Sequence, residues 1–167
     1  MFELQRLRPD HEAAVLDFEQ ANRTYFAKSI NDRGDDFYEE FAERHRKALA
    51  EQAAGVCIYH VLVDDDQTVV GRFNLYDVMW GTAEVGYRVA QRVSGRGVAT
   101  SGLRNLCRIA AERYGLRTLR AAVSNENVAS HRVLARAGFL AIGPAEAGGR
   151  PGARYELALS KRSQSSL

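Results

Sequence analysis

The feature that most constrains this 167-residue chain is a β-rich run, Ala83–Val89, that passes through Gly95-Arg96-Gly97 into a long helical pattern and returns as a second β-rich run, Leu119–Val123. Leu103, Leu106, Ile109 and Ala110 recur at helical spacing between about Val98 and Tyr114, and Gly115 supplies a stop. Upstream lies an antiparallel meander: Val56–Val63, a turn at Asp64-Asp65-Asp66-Gln67, Val69–Tyr76, a turn at Gly81-Thr82, then Ala83–Val89. A meander followed by strand–helix–strand demands a mixed sheet with helices on its faces.

The rest of the chain fits that frame. Phe2, Leu4 and Leu7 alternate with polar residues and predict a first strand. Pro9-Asp10 opens a helix carrying Val15, Leu16 and Phe18; after a polar loop, Ser29 to Asp35, a second helix carries Phe37, Phe41, Ala48 and Leu49. Asn127 opens a fourth helix that Gly138-Phe139 ends, and strands near Phe139–Ile142 and Arg154–Leu159 close the chain. The expected order is β-α-α-β-β-β-α-β-α-β-β. This is a mixed α/β fold with a twisted, mostly antiparallel sheet of seven strands and about four helices. One domain over residues 1–160 is expected, with 161–167 a disordered tail.

Charge divides the chain unevenly. Residues 1–87 carry 9 basic and 17 acidic side chains; residues 88–136 carry 10 arginines against Glu112 and Glu126. The basic stretch suggests an anionic partner. At 46% hydrophobic and +2 net, the chain is too apolar and too neutral to be disordered. No apolar run approaches the ~20 residues of a membrane span. Met1 to Arg6 has no signal-peptide core, so the expected address is the cytoplasm. Cys57 and Cys107 make neither a disulfide framework nor a zinc site and read as buried small hydrophobes. His11, His45 and His60 lack metal-ligand spacing, so no metal is expected. Aromatic residues are not interleaved with the arginines, which argues against nucleic acid.

Between strand and helix, the glycine turn frees backbone N–H groups to approach an anion, and the helix N-terminus adds unpaired donors. Arg88, Arg92 and Arg96 lie around it. It is not a P-loop, having no lysine. Nor is it a Rossmann turn, because Thr100 stands where the third small residue belongs and no acidic residue ends the next strand.

Two motifs together identify a family. Arg92-x-x-Gly95-x-Gly97 resembles the pyrophosphate signature of the GCN5-related N-acetyltransferase (GNAT) superfamily. Asn127-Val-Ala-Ser130 through Gly138-Phe139 resembles its second cofactor motif. The strand order is similar from end to end. Many members carry Ala at Ser130 and a Tyr general acid at Leu134. Ser130, with Ala21 to Phe26 and Asp36-Phe37-Tyr38, is similar to the RimJ/RimL-like branch, which acetylates N-terminal amines of ribosomal proteins.

The resemblance implies acetyl-CoA as donor and a primary amine as acceptor, most simply a protein N-terminus, in a monomer or homodimer. It implies that Gly95, Arg96, Gly97, Val98, Ala99 and Thr100, with Arg92, hold the pyrophosphate, and that Tyr87, Arg88 and Val89 bond the pantetheine arm across a splay from Leu119–Val123. Asn127 would bond pantetheine too, and Ser130 would donate to the departing sulfur. Glu84 is the first candidate base. Asn74, Tyr76 and Trp80 are candidate acceptor contacts; each is also an ordinary strand or turn residue. His131, adjacent to Ser130 on the helix, points about 100° away and is expected at the surface. The acidic first half is expected to frame the acceptor and to suit a cationic amine or basic peptide. Acetylation of a small amine (antibiotic, polyamine or amino acid) and a non-catalytic acyl-CoA sensor remain alternatives.

Overall fold

The computed structural model describes residues 1–160, so the expectation of a disordered 161–167 tail lies outside the described residues. Seven strands form one sheet in the order β1-β2-β3-β4-β5-β7-β6. They are β1 (Glu3–Arg6), β2 (Ile58–Val63), β3 (Val69–Met79), β4 (Thr82–Val89), β5 (Thr118–Ser124), β6 (Leu140–Ala147) and β7 (Arg150–Ala158). Every neighbouring pair is antiparallel except β4 and β5, which the crossover helix α5 (Val98–Glu112) makes parallel. All six residues of β2 are buried, as suits a β-branched run between two neighbours with both faces covered.

The N-terminal helical stretches are each broken in two, giving α1 (Glu12–Ala21), α2 (Arg23–Phe26), α3 (Asp35–Glu39) and α4 (Phe41–Ala53), so the described residues form six α-helices where about four are expected. Asn22 explains the first break. Its Nδ2 donates to the Phe18 carbonyl at 2.9 Å and its Oδ1 accepts from Gln91 N–H at 3.0 Å. The side chain thus spends on the β4–α5 connection what a continuing helix would leave in solvent. At the second break, Phe37 and Phe41 pack edge-on with ring centroids 5.7 Å apart.

Adjacent residues of β3 define the two faces. Phe73 points to α5, where a Cβ on Gly102 would lie 2.4 Å from its ring; Arg72 points the other way, to Glu19 of α1. Helices α1 to α4 therefore cover one face of the sheet's first half. Helix α5 and α6 (Val128–Arg136) cover the opposite face. No helix among the described residues is long and apolar enough to cross a membrane.

Candidate active site

Strands β4 and β5 pair only at Thr82–Thr118, Ala83–Leu119 and Glu84–Arg120, then diverge while each stays paired to its outer neighbour. Ala90 N–H bonds the Val70 carbonyl, which sets the alternation on β4: Glu84, Gly86 and Arg88 bond β3, so the backbone groups of Val85, Tyr87 and Val89 face the gap. On β5, Asn125 N–H bonds the Pro151 carbonyl, and the same alternation turns Ala122 and Ser124 toward the gap. The Ser124 carbonyl already accepts from Asn127 N–H and His131; beyond the Glu84–Arg120 pair the other backbone donors and acceptors on the two rims require a partner. A cavity of about 300 Å³ opens there, bounded by Ala99, Asn127 and Ser130 on the α5–α6 side and by Phe26, Asn74 and Tyr76 on the other. A second, of about 310 Å³, runs along β5 and shares Gly86, Tyr87, Asn127 and Ser130.

The structure brings Ser130, Asn127 and Tyr87 together at this gap. Asn127 caps α6, its Oδ1 accepting from Ser130 N–H at 3.3 Å, which leaves its amide N–H₂ available. The Ser130 hydroxyl lies 2.8 Å from the Tyr87 hydroxyl. Burial pushes Tyr87 up to about 12 against the pull of that hydrogen bond, so it remains a protonated donor at neutral pH. Its ring stacks on Phe73 at 5.8 Å. Leu134 is fully buried in the core. His131 corrects the expectation of a surface residue. It is half-buried, its Nε2–H donates to the Ser124 carbonyl at 2.9 Å, and its Nδ1 accepts from the Tyr155 hydroxyl at 2.7 Å. It ties α6 to β5 and β7 beside the gap.

The glycine turn leads into α5 as expected. Gly95 and Gly97 adopt φ of 74° and 76°, a region open to glycine, and Gly97 caps the helix. Val98, Ala99 and Thr100 form the first turn of α5, and Arg96 is exposed. Two arginines behave otherwise than expected. Arg92 donates to Asp64 at 2.7 Å and holds that carboxyl below its usual range. The Arg88 side chain leaves the turn altogether, because alternation along β4 sends it to the opposite face, where it bonds Glu19.

On the α1–α4 face, Asn74 donates to the Tyr76 hydroxyl at 3.0 Å, and both line the first cavity. Trp80 does not join them: it stands 86% exposed at the β3–β4 hairpin, four residues beyond Tyr76. Glu84 accepts from Arg154 at 2.9 Å and lines neither cavity. The charged side chains lining the first cavity are Arg33, Arg72 and Arg88, with no carboxylate among the described residues. That overturns the expectation of an acidic acceptor frame. The acidic first half is spent elsewhere, Glu19 on Arg72 and Arg88, Asp32 and Asp35 on Arg23.

A family model for the acetyltransferase (GNAT) domain matches residues 2–140. The chain belongs to the GNAT acetyltransferase family. It is accordingly an acyltransferase of the N-acetyltransferase type. The Bacillus subtilis (strain 168) protein named "Probable N-acetyltransferase YjcK" is 28% identical over 130 residues, covering 74% of this chain and 72% of its own length. The GNAT fold is shared with the ribosomal-protein-S5-alanine acetyltransferase of Vibrio fischeri (TM-score 0.87, 18% identity, 95% and 93% of the two chains covered). It is shared also with spermidine N-acetyltransferase from Vibrio cholerae in complex with CoA and spermine (TM-score 0.78, 16% identity, 95% of each chain). These likenesses give the fold and leave the acceptor open. Within the GNAT frame, sequence reasoning missed the Tyr87 hydroxyl, the Tyr155–His131 pair and the Arg33–Arg72–Arg88 lining. The alternation of β4 could have found Tyr87, whose side chain shares a face with Val85 and Val89.

Proposed function

We propose that this chain transfers an acetyl group from acetyl-CoA to the α-amine of a protein or peptide N-terminus by direct attack on the thioester. The observation that carries the reading is the unpaired stretch of β4 and β5, rimmed by the backbone of Val85, Tyr87 and Val89 and ending at Ser130. The amides of a pantetheine arm fit such a gap as a short extra strand would. The pyrophosphate is assigned to the Gly95–Thr100 backbone with Arg96, and a pantetheine carbonyl to the Asn127 amide. We assign to Val89 N–H the stabilisation of oxyanion charge as the amine adds to the carbonyl carbon. When the C–S bond breaks, its electron pair goes to sulfur. Tyr87, donating to Ser130 Oγ, leaves the Ser130 O–H free to hydrogen-bond that thiolate, which takes its proton from solvent.

The amine must attack uncharged. No carboxylate lines the central opening among the described residues, and Glu84 is occupied by Arg154, so we assign the amine's proton to solvent. This favours an α-amine. With an ordinary pKa of ~7.7–8.0 it is about a tenth neutral at pH 7, whereas an amine near ~10.4 is neutral at less than about one part in a thousand. The test is to incubate protein and acetyl-CoA with N-terminal peptides and small amines, measuring CoA thiol and the mass of the products. Acetylated peptides are expected; turnover confined to small amines would overturn the reading.

A further inference from the structure

We infer that the arginine-lined trough beneath the strand gap is a subsite for carboxylates, and that the N-termini this chain acetylates carry acidic side chains in their first few residues. The inference rests on the N-terminal reading above and narrows it. Glu19, 1% exposed, holds two guanidiniums, Arg72 at 2.9 Å and Arg88 at 3.1 Å. One carboxylate against two cations leaves a positive excess, and both arginines border the cavity. Arg33 adds a third guanidinium at the mouth. It lies over the Phe37 ring at 4.6 Å, and the neighbouring Asp32 and Asp35 are both taken by Arg23. Burial, partly offset by Glu19 and reinforced by Arg33 and Arg72, brings Arg88 down to about 10, in keeping with a positive field.

The trough is longer than a single amino acid. A further cavity of about 230 Å³ shares Arg33, Arg72, Asn74 and Tyr76 and adds Arg44 and Lys47. Its one carboxylate among the described residues, Glu51, accepts from the Tyr59 hydroxyl at 2.8 Å. An extended peptide with its amine at the gap therefore runs its second and later side chains past guanidiniums that Glu19 already holds in place. Fixed arginine forks favour carboxylates by geometry as well as charge. A polyamine or basic peptide meets like charge along the same path.

The test compares peptides of one length with a common first residue and Asp/Glu, Asn/Gln or Lys at positions two and three, with spermidine and a free acidic amino acid as further acceptors. The acidic peptide is expected to exceed the neutral one in kcat/KM by about tenfold. The preference should act through KM, shrink with added salt, and collapse or invert in Arg33→Glu, an exposed position that spares the buried Glu19 clamp. Calorimetry of the same peptides with CoA-saturated protein separates the two claims. Preferential binding of the acidic peptide without transfer would overturn the N-terminal acceptor reading and keep the subsite. Transfer to peptides without acidic preference, or better transfer to the Lys peptide, spermidine or the free amino acid, would overturn the subsite and keep acetyl transfer.

Discussion

At the residue scale, each hydroxyl and carboxylate near the gap makes a distinguishable claim. Ser130→Ala and Tyr87→Phe should each lower kcat by about tenfold or more with little change in the KM for acetyl-CoA, and the double variant should fall no further than the worse single one. Additive losses would mean that they do not act as a pair. Glu84→Gln should change kcat/KM by less than about threefold and leave the pH profile in place, because its carboxylate faces Arg154 across a half-exposed ion pair. A large loss recovered at higher pH would instead make Glu84 the base. His60 makes a stability claim. It donates from Nδ1 to the Phe73 carbonyl, accepts at Nε2 from the Tyr114 hydroxyl, and is driven by burial down to about 4. The unfolded chain binds that proton near ~6.5 and the folded chain does not, so stability falls as pH drops from ~6.5 to ~4, by on the order of 3 kcal/mol. Denaturant titrations across that window should show the slope, and His60→Gln should flatten it.

At the element scale, strand and helix order was legible because each period was clean: alternation in β1, β-branched runs in β2 and β3, and Leu103, Leu106 and Ile109 along α5. The breaks at Asn22 and Glu40 were not legible. The partner that stops α1, Gln91 N–H, lies 69 residues away, and a local pattern carries no record of it. The cofactor-side turn was readable for the same local reason that it works, two glycines directly before a helix. Gly97→Ala should raise the KM for acetyl-CoA and cost about 1–2 kcal/mol through its left-handed φ. Gly102→Ala should leave that KM unchanged while destabilising the fold by about 1–3 kcal/mol, because its Cβ meets the Phe73 ring where α5 crosses β3. Chemical denaturation together with initial rates distinguishes the two.

At the scale of the whole molecule, the split between acidic and basic halves of the sequence did not carry over to the lining of the cavity. Counting charges along the chain correctly marked residues 88–136 as basic, but which charges face a cavity is decided by β-strand alternation and by pairing across long separations. Glu19 reaches Arg72 and Arg88, Asp64 reaches Arg92, and Glu84 reaches Arg154, so the cavity is left with arginines. The most direct test is one peptide carrying both amine types, a free N-terminus and an internal lysine, incubated with the protein and acetyl-CoA, with the acetyl group located by tandem mass spectrometry. A gap in which no described residue offers the amine a carboxylate base predicts acetylation at the N-terminal nitrogen. Acetylation chiefly at the lysine, or no transfer from acetyl-CoA at all, would contradict it.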